Sequence, residues 1–323
     1  MLTILLVCLV AFAVTAVLTP LVRRLAIFSD FVDAPSARKM HAAPVPLLGG
    51  MAIVGGAAVG VLLMIGEVDF SERVKGVLLA LTLIFALGLI DDRIGLPAFA
   101  KLLFQIAAIA ILIVFDVSVQ LAIPQPVNIA LTFIWILAVC NATNFLDNMD
   151  GLCVGISAIA STAIALIAAL NGQLLVAVLA SSITGACLGF LRHNFAPAQI
   201  FMGDAGSLFL GFSLAVAGLL LRFPGELRTV SWSIPIILLG VPLFDLLLVL
   251  ISRTRRGLNP FTTAGKDHTS HRLDALGLSQ QKAVVFVYIA GIGCGVLATA
   301  IALTNVMLGF AICTLTLVAA LIG

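Results

Sequence analysis

Three sets of carboxylates stand where charge is expensive: Asp91-Asp92, Asp147 with Asp150, and Asp204, each at or just beyond the end of a long apolar run. A carboxylate beside hydrocarbon is costly unless it is paired. A divalent cation, or a polyanion held by one, relieves that cost where helix ends converge. Asp91 and Asp92 are adjacent, so like charge raises the pKa of one of them. A metal or Arg93 would relieve this, or one carboxylate binds metal while the other acts as a base. Asn141, Asn144, Asp147 and Asp150 recur every three residues, which on a helical turn puts them along one side, and Gly151 then permits a tight break. Asp204 lies between Gly203 and Gly206 just ahead of an apolar run. The glycines allow close backbone approach, and the helix that follows offers its first N–H groups to an anion. With a metal on Asp204, that arrangement makes a diphosphate clamp; without one, Ser207 is simply a helix cap.

Cationic and hydrogen-bonding groups accompany the acids. The segment from Asp33 to Gly50 carries Arg38, Lys39 and His41 among Pro35, Pro44 and Pro46, a stiff loop able to hold a phosphate or to meet lipid headgroups. Lys101 follows the Asp91-Asp92 pair at the opening of the next run. The stretch from Arg253 to Lys282 holds Arg253, Arg255, Arg256, Asp267, His268, His271 and Arg272. His268 and His271 would share a face of a helix and suit phosphate or carbohydrate, whereas two histidines with no third ligand do not make a zinc site. Asp245 lies inside an apolar run, either as a functional acid or as a helix-packing partner.

The elements that must position these residues are membrane helices. The chain is 62% hydrophobic and 10% charged over 323 residues, with a mean hydropathy of +1.24, which excludes a water-soluble globule. Apolar runs near 2–22, 49–66, 74–90, 102–120, 127–143, 152–170, 174–191, 206–221, 232–251, 283–303 and 306–322 predict an all-α integral membrane protein of about 10–11 transmembrane helices, a single polytopic domain over 1–323. The first run is expected to be retained rather than cleaved, because it is long and Arg23-Arg24 follow it. Alternating the loops puts 13 of the 17 Lys and Arg residues on one face, with Arg73, Lys75, Arg222 and Arg228 on the other. The positive-inside rule makes the first face cytosolic and the N-terminus extracytoplasmic. All three acidic sets and all four histidines fall on that face, so the active site is expected there. The six cysteines lie in or at the ends of apolar runs with no CxxC pair and read as small hydrophobes. Gly56/Gly60, Gly185/Gly189 and Gly291/Gly295 read as close-packing stripes. No Walker lysine, dinucleotide-binding glycine pattern or nucleophile elbow occurs, and nucleic acid is not an expected partner.

The ordered set Arg38-Lys39-x-His41-x-x-Pro44 with Gly49-Gly50, Asp91-Asp92-x-x-Gly95, Asn144-x-x-Asp147-x-x-Asp150-Gly151-Leu152, Met202-Gly203-Asp204-x-Gly206-Ser207 and Asp267-His268-x-Ser270-His271-Arg272-Leu273 resembles the polyprenyl-phosphate N-acetylhexosamine-1-phosphate transferases. That superfamily includes the enzymes that start O-antigen, enterobacterial common antigen and teichoic acid linkage synthesis and the translocase of peptidoglycan synthesis. The last motif is similar to the N-acetylglucosamine-type branch, since the translocase carries consecutive histidines. One departure is Asn148, where many relatives have glycine; a side chain there would narrow the nucleotide pocket.

The resemblance implies transfer of N-acetylglucosamine-1-phosphate from UDP-N-acetylglucosamine to undecaprenyl phosphate with release of UMP, the first membrane step of a cell-envelope polysaccharide. It implies Mg2+, with Mn2+ as an alternative, a multi-pass protein of the bacterial inner membrane, and membrane lipids as neighbours; a homodimer is compatible with it. By similarity Asp204 is the leading metal ligand, with Asp92 beside it. Asp91, Asp92, Asp147 and Asp150 form the catalytic set, one of the first two serving as base. Arg38, Lys39, His41, Lys101, Asn144, His268, His271 and Arg272 bind substrate. Another UDP-N-acetylhexosamine or UDP-N-acetylmuramoyl-pentapeptide is the alternative donor. A cation-coupled transporter is the rival from another class; against it, the acids gather at one face rather than at the midplane.

Overall fold

The computed structural model describes residues 1–303 except 34–43, 65, 67–70, 224–230, 260–264 and 266. Arg38, Lys39 and His41, Lys266 and the expected span 306–322 therefore lie outside the described residues. The chain runs α1 (Leu2–Phe28), β1 (Val32–Asp33), β2 (Val45–Pro46), α2 (Gly49–Leu62), α3 (Glu72–Ile94), α4 (Ala98–Val114), α5 (Gln125–Leu146), α6 (Leu152–Leu170), α7 (Leu174–Asn194), α8 (Gly203–Leu220), α9 (Ser233–Leu238), α10 (Gly240–Arg255), α11 (Thr269–Ala275) and α12 (Gln280–Leu303). Seven of these, α1, α3, α5, α6, α7, α8 and α12, are long and apolar enough to cross a membrane, and α2 and α4 are shorter apolar helices. The protein is an all-α integral membrane protein.

Helix is the form that satisfies backbone hydrogen bonds within one segment in lipid, and each expected run in the described residues is helical. Three differ from expectation: the helix stops at Leu62 in the run 49–66 and at Val114 in the run 102–120, and the third is interrupted. The run 232–251 is not continuous but breaks at Leu239 (φ −102°, ψ 22°) between α9 and α10. Pro242 accounts for this: its ring crowds the carbonyl four residues back, at Leu238, and it has no N–H to offer.

The bundle is organised around α8, of which 83% of the spanning window is buried, against 22% for α1 at the periphery. It packs against α3, α5, α2 and α6, and Trp135 Nε1 of α5 donates to the Ala215 carbonyl of α8 at 3.0 Å. Lipid gives helices no hydrophobic reason to associate, so close packing over small residues replaces it. The three glycine stripes are such faces: Gly56 lies over Thr15, Gly185 over the Cys8 carbonyl and Gly291 over Ile156. Helices alternate in direction. One end of the bundle therefore gathers the last turns of α1, α3, α5, α7 and α10 with the first turns of α2, α4, α6, α8 and α12. The other end is held by polar pairs, Arg73 with Asp116 and the Gln173 side chain with the Arg222 backbone.

The two-residue strands β1 and β2 pair antiparallel, Val32 with Pro46 and Asp33 with Val45. The chain leaving β2 then lies along the entry to α8. Phe201 N–H donates to the Pro46 carbonyl at 2.8 Å, and Gly49 and Gly50 N–H donate to Phe201 and Met202 carbonyls at 2.9 Å. This ladder fixes the start of α2 against the start of α8.

Candidate active site

The site begins where α3 ends. Gly95 takes a left-handed conformation (φ 66°) and closes the helix with its N–H on the Asp91 carbonyl. The Asp91 side chain adds to that turn: its Oδ1 accepts Leu96 N–H at 2.6 Å. Pro97 then launches α4, which places Lys101 one turn in. Lys101 Nζ donates to Asp204 Oδ2 at 2.7 Å and also pairs with Asp91 Oδ2. One ammonium thus sits between two carboxylates from different helices.

Asp92 points the other way, into α8. Its Oδ1 accepts Asp204 N–H at 2.7 Å and its Oδ2 accepts Ala205 N–H at 3.0 Å. The first N–H groups of α8, expected from sequence to meet a ligand anion, are taken by a carboxylate of the chain itself. The favourable placement of negative charge at a helix N-terminus is therefore met internally. Gly203 makes room: it has φ +67°, and a Cβ there would lie 2.4 Å from Asp92 Oδ2.

Asn144, near the end of α5, donates from Nδ2 to Asp204 Oδ1 at 2.8 Å and to Ser207 Oγ at 2.9 Å. Ser207 is inside α8, where its hydroxyl donates to the Gly203 carbonyl. Asp91, Asp92, Lys101, Asn144 and Asp204 thus meet in one cluster drawn from α3, α4, α5 and α8.

The threefold spacing from Asn141 to Asp150 does not make a single polar side, because α5 ends at Leu146 and only the asparagines are helical. Asn141 pairs with Gln105 of α4 at 3.1 Å. Asp147 is the C-cap residue of α5; it is exposed, and its carboxylate makes no hydrogen bond or ion pair among the described residues. Asp150 Oδ2 accepts Ala198 N–H at 2.9 Å from the α7–α8 connection. That connection was not singled out by sequence, yet it braces the α5–α6 turn. Asn194 accepts Gly151 N–H at 3.1 Å and donates to the Ile200 carbonyl at 3.0 Å, and Tyr288 of α12 donates to the Gly151 carbonyl at 2.5 Å.

The histidines approach from α10 and α11. His268 is the residue ahead of α11, extended at φ −69°, ψ 154°, rather than part of it. Its ring lies 6.0 Å from that of His271 and edge-on to Phe145 at 6.3 Å. Arg272 is exposed and donates to the Asp267 carbonyl at 3.1 Å. Asp267 accepts from Arg253 Nε at 2.9 Å and from Arg256 at 2.5 Å. Burial opposes ionisation of Asp267, but these hydrogen bonds outweigh it and hold the carboxyl below the usual carboxylate range. Asn148 does not project freely: its Oδ1 accepts the Ser270 hydroxyl at 2.5 Å and its Nδ2 donates to the Phe145 carbonyl.

Among the described residues no three His, Cys, Asp or Glu side chains form a ready metal cage. The donors that converge on Lys101 are hard carboxylate oxygens from Asp91 and Asp204, and they already share one cation. That set fits Mg2+, which takes one or two carboxylates and completes its shell with water and substrate phosphate.

Comparison with known proteins places this site in a family. Residues 74–222, from α3 through α8, match the profile of glycosyl transferase family 4. A probable undecaprenyl-phosphate N-acetylglucosaminyl 1-phosphate transferase of Bacillus subtilis is 38% identical over 85% of this chain and 78% of its own length. A decaprenyl-phosphate N-acetylglucosaminephosphotransferase of Mycolicibacterium smegmatis is 35% identical over 87% of this chain and 78% of its own. An undecaprenyl-phosphate alpha-N-acetylglucosaminyl 1-phosphate transferase of Escherichia coli O157:H7 is 27% identical over 83% and 76%. The chain belongs to glycosyl transferase family 4, within the superfamily of polyprenyl-phosphate N-acetylhexosamine-1-phosphate transferases.

Proposed function

We propose that this chain transfers N-acetylglucosamine-1-phosphate from UDP-N-acetylglucosamine to a polyprenyl phosphate at the cytosolic face of the membrane. An oxygen of the acceptor phosphate becomes bonded to the phosphorus next to the sugar, the diphosphate bridge breaks, and UMP leaves. The observation that carries this reading is the convergence of Asp91 and Asp204 on one cation position at the end of an apolar bundle. There a lipid phosphate and a water-borne nucleotide can meet. The names of the relatives supply the sugar and the carrier. The basic-residue asymmetry supports the cytosolic side.

Asp204 and Asp91 would hold Mg2+, Asp91 standing in for the expected Asp92, whose oxygens accept the α8 N–H groups. The ion would supply charge to neutralise the diphosphate and the leaving UMP. The protein's own groups divide the remaining work. Asn144 fixes the rotamer of Asp204, and Asp92 fixes the backbone that carries it. Lys101 supplies positive charge beside both phosphates. Asp150 is engaged in holding the turn. Asp147 is not, and so is the carboxylate available to accept a proton or face the donor. His268, His271 and Arg272 stand at the sugar-diphosphate end.

The test incubates purified protein in lipid nanodiscs with undecaprenyl phosphate, Mg2+ and a panel of UDP-sugars, and follows UMP. Release with UDP-N-acetylglucosamine that stops on adding EDTA is the expected result. No release with any donor overturns the function, and release that persists in EDTA overturns the metal.

A further inference from the structure

Asp245 belongs to none of the motifs that carry the family resemblance, yet it is 1% exposed inside α10. A carboxylate buried in a membrane helix persists only with its oxygens satisfied. Both are. Oδ1 accepts Thr269 N–H at 2.7 Å, which caps the start of α11, and Oδ2 lies 2.7 Å from His268 Nδ1.

The second contact has a chemical consequence. An ionised carboxylate has no proton to give, so the hydrogen of this bond resides on Nδ1. Nε2 is then the nitrogen left for other work, and it has no partner among the described residues. His268 is 7% exposed, so its ring does not turn freely. Phe145 holds one side edge-on at 6.3 Å. The Ser270–Asn148 bond at 2.5 Å ties the same α11 to the turn bearing Asp147 and Asp150. The helix restarts after the break at Leu239, and Asp245 lies between one and two turns into α10, facing α11.

We infer that Asp245 is a positioning residue: it selects the Nδ1–H form of His268 and aims Nε2 at the diphosphate of the sugar-nucleotide donor. The direction of aim rests on the transferase reading above; the tautomer rests on geometry alone. An orienting acid behind a working imidazole fixes ring angle and stabilises positive charge on the ring when Nε2 is also protonated.

The test has two readouts. Protein labelled with 15N-histidine, in nanodiscs at alkaline pH, is compared with Asp245→Asn and His268→Gln, the latter identifying the His268 signals. The expected spectrum shows His268 protonated at Nδ1 and bare at Nε2, and this form disperses in Asp245→Asn. In the UMP-release assay, Asp245→Asn is expected to lower kcat roughly 10- to 100-fold. The KM for polyprenyl phosphate should stay within about twofold, because only the donor end is disturbed. The double variant should be no slower than His268→Gln alone. A wild-type His268 protonated at Nε2 instead, or a double variant slower by the product of the two single effects, overturns the inference. If Asp245→Asn does not fold, the wild-type spectrum still decides the tautomer. A chain that shows this tautomer but releases no UMP from any donor refutes the transferase reading, and with it the aim of Nε2, while the positioning of His268 by Asp245 stands.

Discussion

The carboxylate of Asp92 caps a helix to which it does not belong: from α3 it accepts the N–H groups of Asp204 and Ala205 in the first turn of α8, at 2.7 and 3.0 Å. The residue whose backbone it holds is the one whose side chain faces Lys101. Losing such a cap costs about 0.5–2 kcal/mol. Asp92→Ala is expected to lower the melting temperature of the purified protein and to reduce UMP release by more than its folded fraction explains. Asp92→Asn, which keeps one acceptor, should fall between. A melting curve for Asp92→Ala that overlies the wild type would remove the capping role.

Two glycines make that contact sterically possible. A Cβ at Gly88 would come within 2.4 Å of the Ala205 Cα, and one at Gly203 within 2.4 Å of Asp92 Oδ2. Backbone cannot swing aside as a side chain can. Gly88→Ala should push α3 off α8 and abolish turnover by parting Asp91 from Asp204. Gly95→Ala is the control. It has a similar positive φ to Gly203, +66° against +67°, but nothing within 4 Å of its Cβ position. It should show only left-handed strain of about 1–2 kcal/mol, so Gly203→Ala must be more damaging than Gly95→Ala for the steric account to hold.

Lys101 keeps Asp91 and Asp204 from repelling each other. Lys101→Met should destabilise the protein in EDTA, since two neighbouring carboxylates lose their counter-ion. Mg2+ should then recover more melting temperature in the variant than in the wild type, while UMP release stays low. Equal recovery in both proteins would show that the ammonium and the metal do not compete for one position.

Asp267, held below the usual carboxylate range, ties Arg253 and Arg256 to the approach to α11. A folded-state pKa that is lowered gives stability that is complete above the ordinary value of about 4 and fades as pH falls through the lower folded value. Asp267→Asn should therefore cost on the order of 1 kcal/mol at neutral pH, since Arg256, one of its two partners, is half exposed. The gap between variant and wild-type melting temperatures should narrow below about pH 4. A gap that does not change with pH would assign the loss to packing rather than to charge.

Much of the architecture could be read from hydropathy, because runs long enough to span lipid have few alternatives to helix. The motifs around Asp91, Asn144, Asp204 and His268 were visible for a similar reason: polar residues at the ends of such runs need explaining. What escaped was their pairing. Nothing local tells that Asp92 reaches a helix 112 residues away, or that Asp245 meets His268 across a loop. The regular spacing from Asn141 to Asp150 suggested one continuous face, but Asp147 ends α5 and Gly151, at φ 78°, opens α6, so periodicity stopped where the helix did. Asn194 and Tyr288 gave no signal at all. Each acts on the backbone of Gly151, and a backbone partner leaves no pattern in a single sequence.

The meeting of α3 and α8 through Gly88 is a contact of main chain with main chain, and it leaves evolution little to edit. No change of side chain can widen or reshape that wall without dismantling it. The opposite wall is different in kind: each contact among Asn148, Ser270, Phe145 and His268 involves at least one side chain, exchangeable one at a time. New donor preferences in this lineage would therefore arise on the α11 side, while the chemistry stays anchored to the side that cannot vary.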